Sequence, residues 1–146
     1  MEKQMTIKIN LISAIIFSCV ISSAALADDS CFVIGFHEPH THTYDGPTFC
    51  DKAQFQNITV RGPLQVKNSK ILGQITVSGP ITASHAWLGA IEINQQFASQ
   101  KISLKHQSNV HGDIIFLGSP GTVFKSNDSI ITGKVINGRV QEIKTK

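Results

Sequence analysis

The chain has 146 residues, 41% of them hydrophobic and 16% charged, with a formal net charge of +3 at pH 7. That length suffices for one domain with its own core. The charge is weak and scattered, and the few aromatic residues are not interleaved with Lys or Arg, so the footprint of a nucleic-acid-binding surface is absent.

The N-terminus has the order of an export leader. Lys3 and Lys8 precede an apolar run from Leu11 to Ile21, and small residues follow up to Ala25-Leu-Ala27. This arrangement predicts a signal peptide over residues 1–27, cleaved after Ala27. The run is shorter than the roughly 20 residues a spanning helix needs, so no transmembrane segment is expected after cleavage. Cys19 lies within the run and lacks the small preceding residues of a lipid-attachment site. The Lys- and Ile-rich leader points to a bacterial periplasmic or secreted protein.

Cys31 and Cys50 remain after cleavage. An even cysteine count in an exported chain predicts a disulfide, worth roughly 3 kcal/mol for a loop of this length on the chain-entropy model. Residues 28–53 also carry Phe32, Phe36, Tyr44 and Phe49, and Tyr44-Asp-Gly-Pro47 is a turn signal. Strands are expected over Cys31–Phe36 and near Thr48–Cys50. The segment reads as a disulfide-pinned, His-rich cap on one end of the region from Gln54 onward.

Residues 54–143 repeat. Asn57-Ile-Thr-Val-Arg-Gly-Pro63 returns 17 residues later as Gln74-Ile-Thr-Val-Ser-Gly-Pro80. An apolar-x-Gly-x-apolar signature centres on Gly73, Gly89, Gly112 and Gly133, and Gly62 and Gly79 close the longer motif. Ile58, Val60, Leu64, Val66, Ile71, Ile75, Val77, Ile81 and Ala83 alternate with polar residues, the pattern of short half-buried strands. Gln95–Lys101 is the only stretch that could form a helical turn. The intervals between signature glycines lengthen after Gly89, which predicts insertions near Asn94–Asn109 and Gly118–Asn127, with Phe97, Phe116 and Phe124 covering or extending the core. A short internal repeat predicts one unit stacked on copies of itself, with glycine supplying corner backbone angles. The fold class is therefore all-β: a short right-handed parallel β-helix of about five coils, ending in a basic tail at 144–146. The alternative is an antiparallel β-sandwich.

Region 55–143 resembles the right-handed β-helix of the bactofilin-type, polymer-forming proteins, in the length of its coils and the apolar-x-Gly-x-apolar texture. The resemblance implies the fold and implies self-assembly. It carries over no catalytic residues, and this chain departs from it in its leader, its disulfide segment and its irregular coil lengths.

One local cluster could carry chemistry. His37, His40 and His42 lie close in sequence beside Asp45, and three imidazoles would suit zinc or copper. A solvated His-rich loop is the plainer reading. His85, His106 and His111 sit singly in the repeats and read as surface or satisfied residues, and Asp113 reads as a turn residue. No nucleophile elbow, zincin helix or phosphate loop is present. The repeats hold only Glu92, Asp113, Asp128 and Glu142 as acids, too few to line a carboxylate groove for glycan cleavage. Asn57 and Asn127 begin glycosylation sequons whose meaning depends on the host. These features predict a non-enzymatic envelope or secreted protein without a required cofactor. It would be a platform for end-to-end self-association or for contact with an envelope component, with the open end of the coil near Gly138–Ile143. Two alternatives are a periplasmic metal-binding protein using the histidine cluster and a carbohydrate-binding module using Trp87 and Tyr44.

Overall fold

The computed structural model describes residues 31–37, 41–95 and 99–144. The expected leader, His40 and Phe97 lie outside the described residues. Among the described residues the chain is all-β with no helix, a β-solenoid of about six turns. No helix among them is long and apolar enough to cross a membrane.

Each coil lays strands on three faces, because its apolar residues are too few to form a core alone and are buried only by the copies above and below. On the first face Phe55, Ile71, Leu88, Val110 and Ile131 stand in register. On the second, Ile58, Ile75, Ile91, Ile114 and Val135 do the same. On the third, Leu64, Ile81, Ile102, Val123 and Val140 form the ladder. All of these pairings are parallel, which rules out the sandwich. Strand alternation sends every second side chain inward, so Leu64–Lys67 buries Leu64 and Val66 and exposes Gln65 and Lys67.

Stacking begins upstream of Gln54. Thr43–Asp45 pairs parallel with Ile58–Arg61, and Thr48–Asp51 with Leu64–Lys67. The first coil is therefore built from the segment read as a cap, and the turns number about six rather than five. The cap is shorter than expected. Cys31–Val33 runs antiparallel to Thr48–Asp51, and Phe36–His37 antiparallel to Thr43–Asp45. The expected disulfide joins Cys31 to Cys50, which face each other across that first pair.

The two expected insertions fall at one corner. Val77 and Ile81 are joined by Ser78-Gly79-Pro80 on the way from the second face to the third. In the next two coils residues 94–101 and 117–122 make the same step. Gln95 and Gln100–Lys101 lie in strands, not in a helical turn. Phe116 turns into the enlarged corner and is 2% exposed. A Cβ on Gly121 or Gly138 would lie 2.2 or 2.5 Å from its ring, so those two positions admit no side chain.

Four of the repeat glycines have a different role from the one expected. Gly73, Gly89, Gly112 and Gly133 form a column in which successive backbones almost touch. A Cβ on Gly89 would lie 2.2 Å from Gly73 O, and one on Gly133 would lie 2.1 Å from Gly112 O. Close approach selects them, not backbone angle. Positive backbone angles lie at two other corners: Gly46, Gly62 and Gly118 have φ of 129°, 158° and 86° before the third face, and Lys52, Asn68, His85 and His106 have φ of 57°, 49°, 51° and 48° after it.

Candidate functional site

The two ends of the solenoid differ. At the N-terminal end Cys31 and Val33 pack against the core, and the His37 ring stacks on Tyr44 with centroids 4.6 Å apart and planes 8° from parallel. Tyr44 and Cys50 of the first coil are consequently 1% and 2% exposed. That burial corrects the expectation that Tyr44 serves as a surface platform for sugars. The outer side of the cap exposes Phe32, Ile34 and Phe36.

At the C-terminal end nothing among the described residues covers the last coil. Its strands Ile130–Ile131, Val135–Ile136 and Gly138–Ile143 are each paired with the coil before them alone. Val140 occupies a core position yet is 46% exposed, while Val123 directly beneath it is fully buried. Ile131, Val135 and Val140, with Lys125 and Ser129, line an opening of about 580 Å³.

This opening is amphipathic. Lys125 takes the inward position held by Leu104 on the coil before, and Glu142 stands in register on Lys125. The two side chains form an ion pair at 3.2 Å, and Lys125 Nζ also donates to Ser129 O at 3.1 Å. Inward-pointing charge is one means by which a sheet end is kept from indiscriminate pairing. The sequence reading missed this pair. Its signal was present, because Lys125 follows Leu104 at the interval that separates Val123 from Ile102.

A buried polar column was missed as well. Ser69 Oγ accepts from Ala53 N on the coil before at 2.9 Å and donates to Lys67 O at 2.6 Å. Ser108 repeats the arrangement with Ala86 N and Lys105 O, and Ser129 Oγ accepts from Ser108 N at 3.1 Å. Each serine satisfies a backbone donor that the tight corner would otherwise bury unpaired. Ser126 Oγ donates to Asp128 in the last such corner, and this hydrogen bond holds the Asp128 carboxyl below its usual value of 3.8.

The sequence-predicted histidines take separate places. His37 Nε2 lies 2.9 Å from Thr41 O, and the His42 ring tilts against Phe55 at 4.7 Å. Among the described residues no three His, Cys, Asp or Glu side chains are grouped to hold a metal. His85 and His106 stack on each other at 5.5 Å with planes 9° apart, and His111 tilts against the half-exposed Trp87 at 5.2 Å. Asp113 Oδ1 accepts from Lys134 N at 2.7 Å, and Asn57 Oδ1 from Gln74 N at 2.7 Å. Both tie one coil to the next, which is more than the turn role expected of Asp113.

Comparison with protein-family models, with curated proteins and with solved structures finds nothing that matches this chain. The structure shows a β-solenoid of stacked coils, and no family match supports the bactofilin type specifically.

Proposed function

We propose that this chain is an exported, non-enzymatic structural protein that associates through the open C-terminal end of its solenoid with a second copy of itself. The observation that carries this reading is the contrast between buried Tyr44 at one end and half-exposed Val140 at the other. An uncovered coil end is a row of unpaired backbone donors and acceptors over unfinished core, and a matching coil end satisfies both. The disulfide fits an oxidising compartment outside the cytoplasm.

The closed N-terminal end shapes the assembly. Short antiparallel strands and the His37–Tyr44 stack cover the core there, so a copy stacking head to tail finds no open coil to extend. Two open ends can meet about a two-fold axis, which closes the assembly as a dimer. Core continuity restricts the register of the two Gly138–Ile143 strands, because side chains alternate in and out. Centring the pair on Val140 stacks Val140 on Val140 and keeps the apolar residues of both copies on one side. The bactofilin-like texture also supports self-assembly, but the one-ended geometry favours a dimer over a filament.

Sedimentation velocity over a hundredfold range of concentration tests this. A monomer–dimer equilibrium is expected. A strict monomer at the highest concentration overturns self-association, and an open series of higher oligomers overturns the closed two-fold arrangement.

A further inference from the structure

We propose that His85 and His106 form a binding site for a divalent transition metal ion, zinc or copper, bridging two successive coils. The site is independent of the association surface and of the histidine cluster near the N-terminus.

Both residues occupy the left-handed corner position, with φ of 51° and 48°, so both side chains leave the backbone in the same direction. His85 N donates to His106 O at 3.0 Å, which locks the two corners together. The rings are exposed and face each other with centroids 5.5 Å apart and planes 9° from parallel. The Ser84 hydroxyl lies 3.2 Å from His85 Nδ1, which leaves Nε2 as the open ligand atom of that ring.

The spacing suits chelation after a small movement. Two imidazole nitrogens on one tetrahedral zinc stand about 3.3 Å apart, given Zn–N bonds of about 2.0–2.1 Å. Rotation about the Cα–Cβ and Cβ–Cγ bonds of both exposed residues brings the two nitrogens toward that separation without moving the backbone. Asp128, on the following coil, interacts electrostatically with His106 and favours positive charge at this corner. With two protein ligands, water completes the coordination, and imidazole ligands select zinc or copper over magnesium or calcium.

Calorimetric titration of the protein with zinc chloride, and separately with copper chloride, tests the proposal. One ion per chain is expected. Asparagine tolerates the left-handed backbone angle, so His85→Asn and His106→Asn each remove one ligand with the corner conformation kept. Each is expected to weaken binding at least tenfold, while His37→Asn and His42→Asn leave it unchanged. In NMR spectra, sub-stoichiometric copper should broaden the ring signals of His85 and His106 before those of the other histidines, a readout that needs no variant. Absence of binding overturns the proposal. So does binding that survives both corner variants, or that is lost on changing His37 or His42.

Discussion

Val140 sits in register directly on Val123, one strand apart, yet Val123 is fully buried and Val140 is 46% exposed. The pair marks where the core stops. Below it the same ladder is buried at Leu64, Ile81, Ile102 and Val123. Ile102, in the same ladder, is fully buried, and Ile102→Ala should lower stability by about 2–5 kcal/mol through lost burial and a residual cavity. Val140→Ala, at the open end of the same ladder, should change the stability of the isolated chain by about 1 kcal/mol or less, because its side chain is half-exposed already. Urea unfolding at low protein concentration separates the two, and equal losses would mean that the last coil is covered.

The disulfide pins the cap to the first coil across a sequence separation of 19. Reduction, or Cys31→Ser with Cys50→Ser, should remove about 3 kcal/mol of stability if chain entropy dominates. Denaturation with and without reductant measures the difference. An unchanged midpoint would show that the antiparallel pairing of Cys31–Val33 holds the cap without the bond.

Ser69→Ala removes the acceptor for the buried Ala53 N–H and the donor to Lys67 O. Leaving a buried donor unpaired costs about 1–3 kcal/mol, more than the loss expected from trimming one hydroxyl at the surface. Hydrogen exchange at Ala53 should accelerate in the variant. Protection at the wild-type level would show that the serine column does not hold the corner.

Asp128 titrates below 3.8 because Ser126 Oγ donates to its carboxylate. A depressed folded-state value stabilises the fold at pH above 3.8, and that stabilisation is lost as the pH falls through the lowered value. Carboxyl NMR should place the Asp128 midpoint under 3.8, and Ser126→Ala should move it upward. A midpoint unmoved by Ser126→Ala would remove the serine as the cause.

Most of the architecture was legible because a solenoid writes its period into the sequence. The match of residues 57–63 with 74–80 is the register of Ile58 on Ile75 and Val60 on Val77. The first coil was hidden, since Thr43–Asp45 and Thr48–Asp51 carry Tyr44, Thr48 and Cys50 at core positions where later coils carry aliphatic residues. The signature glycines Gly73, Gly89, Gly112 and Gly133 were visible but their reason was not: crowding between successive backbones is a three-dimensional property, whereas the corner angles fell to Gly62 and also to Lys, Asn and His. Lys125 was legible only through the interval that places it on Leu104, and Glu142 only through its register on Lys125. The histidine pair was equally illegible, since residues 85 and 106 meet only when one coil is laid on the next.

The proposed dimer forms through the C-terminal end alone, and sedimentation equilibrium of two variants compares the ends. Val140→Asp places a charge in the unfinished core, whereas Phe36→Asp alters the exposed apolar surface of the cap. The dimer dissociation constant should rise at least tenfold for Val140→Asp and stay at the wild-type value for Phe36→Asp. Dissociation by Phe36→Asp with no effect of Val140→Asp would contradict the account and place the interface on the cap.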